Sequence, residues 1–102
     1  MNDDTKVYSA AIWTVKHGNE EAFTNAWEDF ARWSFKNVPG GISVQLLKSE
    51  EDPRKFVTIG PWKDALSLTS WRAMPEFRQF FGKAKELCED IRPMTLRVIF
   101  SL

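Results

Sequence analysis

Residues 56–81, FVTIGPWKDALSLTSWRAMPEFRQFF, decide how this chain is to be folded. The stretch opens on an apolar run rich in β-branched residues, Phe56-Val57-Thr58-Ile59, which reads as a strand. It breaks at Gly60-Pro61, where proline removes a ladder donor, so the strand is expected to end or kink at Gly60. Trp62 follows, and then Asp64, placed to cap a short amphipathic turn that carries Ala65, Leu68 and Trp71. Pro75 opens a longer helix at the one position where a missing N–H costs nothing. A strand, a connector and a helix are thus set in one segment with a tryptophan at each joint. Large aromatics in such places are either core wedges or pocket walls.

Working outward toward the N-terminus, Val7 to Val15 (VYSAAIWTV) is a near-continuous apolar run, the pattern of a strand covered on both faces. By parity Val7, Ser9, Ala11, Trp13 and Val15 share one face, and Tyr8, Ala10, Ile12 and Thr14 the other. Lys16-His17-Gly18-Asn19 is a turn, with Asn19 as a cap and Glu20 and Glu21 in the first turn of a helix that runs to about Asn37. Its stripe is Phe23, Ala26/Trp27, Phe30 and Ser34, and Pro39-Gly40-Gly41 ends it. Ile42 to Ser49 reads as a second strand, joined to the third by the charged hairpin Glu50–Arg54. Toward the C-terminus, the helix from Pro75 carries Phe77, Phe80/Phe81, Ala84, Leu87/Cys88 and Ile91 at helical spacing. Arg92-Pro93 stops it, and Met94 to Leu102 is a final strand; residues 1–5 are expected to fray.

The order strand, helix, strand, strand, helix, strand defines an α+β, ferredoxin-like βαββαβ layer: an antiparallel sheet with two helices on one face. No linker or repeat interrupts it, so residues 1–102 form one domain with an ordered core over about 6–101. Tyr8, Ala10, Ile12, Val57 and Ile59 then remain on the uncovered face of the sheet. The chain has no spare element to cover them, and a second copy related by a two-fold axis would. A homodimer through that face is therefore expected.

Composition narrows the function. Lys+Arg and Asp+Glu both number 14, so the formal net charge is zero, which argues against nucleic acid as a partner. No apolar run approaches the ~18–20 residues of a membrane span. The polar start MNDDTK is unlike a signal peptide, and the single Cys88 rules out an intrachain disulfide; both suit a cytoplasmic protein. Five Trp and eight Phe against one Tyr give more flat apolar surface than a small monomer uses, which a ligand pocket or an interface would absorb.

Few residues carry chemistry. Arg72 and Arg97 are the cations placed to stabilise a substrate anion, and Arg97 stands out because apolar residues flank it on the expected last strand. His17 lies in a turn, and with Glu20 and Glu21 it lacks the further ligands a metal shell needs. Cys88 falls on the apolar stripe of the second helix as an inert thiol. Gly40-Gly41 has no phosphate-loop context, and no carboxylate pair has acid–base spacing.

With this order and these residues the chain resembles the antibiotic biosynthesis monooxygenase family of dimeric α+β barrel proteins. The features that carry the likeness are VKHGNEEAFTNAW (Val15–Trp27), the tryptophan ending the third strand (Trp62), and WRAMPEFRQFF (Trp71–Phe81). The resemblance implies a pocket for a small aromatic or hydrophobic molecule, with Trp27, Trp62, Trp71, Phe77 and Phe81 as its walls. It also implies a cofactor-independent monooxygenase that oxidises a phenol or quinol with molecular oxygen, without flavin, haem or metal. A dimer that only binds such a molecule is the alternative. The family's haem-degrading branch uses an Asn on the first strand and an iron-ligating His on the second long helix. Those positions hold Ala11 and Phe81 here, so haem degradation is not expected. Trp71 is the residue the resemblance places in the pocket, and as a wall of a preformed site it is expected to be cheap to truncate; together with Arg97 it is the candidate for a direct role in the reaction.

Overall fold

The backbone hydrogen bonds of the 56–81 stretch go where the residues send them, with one exception at Pro61. In the computed structural model, which describes residues 5–102, strand β3 runs without a break from Lys55 to Trp62. Gly60 and Pro61 lie inside it, so of the expected end or kink at Gly60 the end is corrected. The Pro61 carbonyl accepts from the Ile42 N–H at 3.0 Å. N and O of one strand residue point to the same side, so the missing donor faces residues 41–44 and not the ladder to β1. On that side only an isolated bridge, Gly41 to Trp62, is made. Gly60 itself is needed for a close approach: a Cβ there would run into the Ser43 carbonyl oxygen. The 41–44 segment leans over this glycine, and the ladder of β2 is confined to Gln45–Lys48, shorter than the expected Ile42–Ser49.

Strand β1 (Val7–Val15) and helix α1 (Glu20–Asn37) have the expected bounds. Asn19 holds the N-cap position, but its side chain makes no capping bond; Glu20 Oε1 instead accepts from the Gly18 N–H at 3.0 Å. Helix α2 (Ala65–Arg72) is a true helix of two turns, buried through Leu68 and Trp71. Asp64 caps it, accepting from the Ser67 N–H at 2.8 Å. That bond, with a second from the Ser67 side chain, holds the Asp64 carboxyl below its usual 3.8. The folded value is the lower one, so the stabilisation is complete above pH 3.8 and is lost as pH falls through the folded value. Asp64→Asn keeps the cap without the charge; its melting temperature is expected to decline less than the parent's in scans below about pH 4.

Helix α3 begins at Pro75 as expected but stops at Glu86, and strand β4 runs from Cys88 to Leu96. The expected boundaries, a helix through Ile91 and a strand from Met94 to Leu102, are thus corrected. A register shift opposite Thr14/Val15 lets three steps of β4 (Cys88 to Ile91) match two of β1 (Val15 to Trp13). This bulge puts Cys88 and Ile91 on one face, while Met94, paired with Ala10, is half-buried on the other, so the less exposed residues fall three apart and mimic a helix. Pro93 is tolerated because β4 is an edge strand. Residues 97–102 continue beyond the strand, with Ile99 92% and Phe100 74% exposed. The fraying expected for residues 1–5 lies, apart from Thr5, outside the described residues.

The sheet order is β2-β3-β1-β4, all antiparallel, with the three helices on one face: a ferredoxin-like α+β fold. Parity holds on the central strands, since Val7, Ala11, Trp13 and Val15 of β1 and Phe56, Thr58 and Trp62 of β3 are buried beneath the helices. On the opposite face Ile12 and Leu47 are exposed, and Tyr8, Val57 and Ile59 are half-buried. Among the described residues no helix is long and apolar enough to cross a membrane.

Candidate functional site

The apolar interior is not one cluster but two. One gathers Trp13, Val15, Phe23, Phe56 and Ala84, and the other Val7, Phe30, Val38, Trp62, Leu68 and Trp71. Between them lies a cavity of about 520 Å³, within the size range of small-molecule sites. The floor explains it. Along the helix-facing row of β1, Ser9 and Ala11 are small and are followed by Trp13; Ala11 pairs with Thr58 on one side and Pro93 on the other. No bulky side chain rises from this patch, while Trp27 and Phe30 of α1, Trp71 of α2, and Phe77 and Phe81 of α3 enclose the space above it.

The aromatic walls are braced against one another. Trp71 stacks on Trp62 at 4.8 Å and on Phe30 at 5.4 Å, meets Phe77 edge-on at 4.8 Å, and donates from Nε1 to Ser34 Oγ at 2.9 Å. Phe77 stacks on Phe81 at 5.2 Å, and Phe81 reaches Trp13 at 5.5 Å. Trp13 Nε1 donates to Thr58 Oγ1 at 3.1 Å. These contacts fix rotamers before any ligand arrives, as a preorganised site requires.

One end of the floor is polar. Ser9 and Thr95 are directly paired across β1 and β4, and the Arg72 guanidinium lies across them. Its Nη1 donates to Thr95 Oγ1 at 2.8 Å and its Nη2 to Ser9 Oγ at 3.4 Å. The ion pairs among the described residues, Arg32–Glu28, Arg54–Glu89 and Arg92–Asp90, leave Arg72 without a carboxylate. Burial pushes its pKa down from the usual value, yet a guanidinium stays cationic at neutral pH. Among the described residues lining the cavity, Arg72 alone carries a charge. Trp27 Nε1 is buried with no hydrogen-bond partner among the described residues.

Of the walls expected from the sequence, Trp27, Trp71, Phe77 and Phe81 line the cavity. Trp62 does not: it stands behind Trp71 and borders only a space of about 30 Å³. Arg97 lies past the end of β4, exposed and away from the cavity, because the strand expected to carry it ends at Leu96. Ala11 and Phe81 both face the cavity and offer no ligating atom. His17 is exposed in its turn, and among the described residues no three His, Cys, Asp or Glu are grouped to hold a metal. Cys88 opens β4 rather than riding on a helix; burial pushes its thiol up to about 11, which keeps it protonated and unreactive at neutral pH. Nothing in their local sequence marks Ser9, Thr58 and Thr95, which come to line one cavity only through sheet register.

An aromatic cavity between the helices and the sheet of a ferredoxin-like fold defines the class. The chain belongs to the antibiotic biosynthesis monooxygenase family, which it matches over residues 7–83. Among solved structures it is similar to SnoaB from Streptomyces nogalater, a cofactor-independent oxygenase, with 21% identity over 96% of this chain and 97% of that one and a TM-score of 0.87. A conserved protein from Methanosarcina mazei Go1 is also similar, at 19% identity over 92% of this chain and 93% of that one, with a TM-score of 0.84. At these identities the likeness shows the shared fold. No curated protein matches the chain by sequence.

Proposed function

We propose that this protein is a cofactor-independent monooxygenase acting on an aromatic phenol or quinol with molecular oxygen. The observation that carries this reading is the cavity of about 520 Å³, walled by braced aromatic rings and bearing a single cation. In such chemistry the ionised substrate itself supplies electrons to oxygen. Where the oxidised carbon is a methylene between aryl rings, CH₂ and O₂ become C=O and H₂O. One oxygen atom enters the product, the other leaves as water, and no outside reductant is needed. The protein's share is to hold the ring flat, to exclude water, and to stabilise developing negative charge. Membership of the family and the fold shared with SnoaB support the assignment. Trp27, Trp71, Phe77 and Phe81 serve as the stacking walls.

We infer that the working form is a homodimer, sheet against sheet. Leu47, Ile12 and Leu96 are more than a third exposed on the face away from the helices, and the apolar tail 98–102 is left in solvent by a single chain.

One observation favours the alternative of a non-catalytic binder: none of the described lining residues is a histidine or carboxylate able to take a proton. Oxygen uptake with a panel of hydroquinones and anthrones, without added flavin or metal, separates the two. Protein-dependent uptake with formation of the oxidised product is expected. Binding of the same compounds without uptake would leave the non-catalytic reading.

A further inference from the structure

The polar end of the cavity is more specific than a generic oxyanion site. Arg72 presents five N–H donors, and Ser9 and Thr95 are its two hydrogen-bond acceptors. The contact to Ser9 is long at 3.4 Å, and both acceptors are neutral hydroxyls. The guanidinium is therefore held in place but not neutralised, which is how a site for an incoming anion is built. Its position along the floor is set by sheet register. Ser9 and Thr95 face each other at one end, Ala11 and Pro93 come next, and Trp13 closes the other end four residues away along β1. At about 3.3 Å per residue that is roughly 13 Å, long enough for a ligand with an apolar body and one charged edge.

The cavity is defined as much by the group it lacks. The described lining offers hydroxyls, aromatic rings and one cation, and no group with which to take a proton from a bound phenol. With the cavity as the substrate site, as proposed above, we propose that it takes its substrate from solution already ionised. The ligand is a planar aromatic bearing an acidic ring hydroxyl, bound as the oxyanion against Arg72 with its apolar edge toward Trp13 and Phe81. Selection then falls on compounds whose hydroxyl ionises near neutral pH. Arg72 is the anchor that recognises them.

The direction of a single shift decides the matter. An apolar cavity without a cation raises the pKa of a buried phenol, because desolvation disfavours the charged form, whereas a facing guanidinium lowers it. The probe is 7-hydroxycoumarin, whose phenol and phenolate differ in absorption, beside 7-methoxycoumarin, which cannot ionise. In the unmodified protein the bound hydroxycoumarin is expected to ionise about one pH unit lower than in water, a tenfold preference for the anion. In Arg72→Gln the shift should vanish or reverse, while 7-methoxycoumarin binds as before. Arg72→Lys, which keeps the charge and loses the fork, should retain part of it. An upward shift in the unmodified protein overturns the anchor even if every Arg72 variant fails to fold. Equal binding of both coumarins with no shift overturns it too, and leaves the cavity as an aromatic site. Failure of both compounds to bind overturns the anchor and the cavity assignment together.

Discussion

Trp71→Ala is expected to destabilise the fold by about 4 kcal/mol, in the range of a fully core aromatic. Its ring touches Trp62, Phe30 and Phe77 and is only 7% exposed, so truncation opens a hole between the two apolar clusters. Removal of the indole also strands Ser34 Oγ, itself in a residue 2% exposed, at a cost of roughly another 1 kcal/mol within that total. For a domain of this size the melting temperature should fall by roughly 20 °C. The expectation that a pocket wall is cheap to truncate does not survive this geometry. Trp71 is a wall on one side and a core residue on the other, because the cavity lies between the clusters and not outside them. Trp71→Phe separates the two roles. It keeps much of the stacking and loses the bond to Ser34, so it should cost about 1–2 kcal/mol and weaken aromatic binding by less than the alanine variant. Paired melting curves and binding isotherms, with affinity expressed per folded molecule, are the measurement. A melting temperature unchanged in Trp71→Ala would show that the ring carries no core packing.

How far the molecule is legible in its sequence depends on period and on distance along the chain. Strand β1 and helix α1 are legible from apolar spacing together with the turn at 16–19 and the stop at 39–41, since each element buries one continuous face. Pro75 and Asp64 act locally, so their roles follow from their own chemistry. The end of α3 is obscured because the half-buried residues of β4, Cys88 and Ile91 across a bulge and Met94 on the other face, fall three apart. Arg97 accordingly lies past the end of β4 and not on the strand its apolar neighbours suggest, and Arg72 is the arginine that lines the cavity. The aromatic walls were legible because bulky residues announce themselves. The cavity floor was not, since it consists of Ser9, Ala11, Thr58, Pro93 and Thr95, small residues brought together by strand register across some 85 positions. A void is made by what is absent, and residue type at one position does not reveal that its neighbours in space are small as well.

Ile59→Asp is expected to abolish the proposed dimer while leaving the subunit folded. Ile59 lies on the sheet face away from the helices, flanked across the ladder by Ala10 on β1 and Gln45 on β2, with no cation directly opposite. It is half-buried in the single chain, so a carboxylate there remains hydrated in a monomer. In a two-fold interface the substitution occurs twice, and each unpaired carboxylate must be stripped of water at a cost of several kcal/mol. Two such penalties of about 3 kcal/mol raise the dissociation constant by roughly 10⁴-fold, enough to convert a dimer of about nanomolar to micromolar Kd to monomers at micromolar concentration. Leu66→Asp is the control, since Leu66 is 75% exposed on α2 and far from the sheet face; it should leave the assembly intact. Light scattering at micromolar concentration gives the masses, and a hydrophobic dye should report the uncovered face of the Ile59→Asp monomer. A parent that scatters as a monomer and binds no such dye would mean that the apolar face needs no second copy.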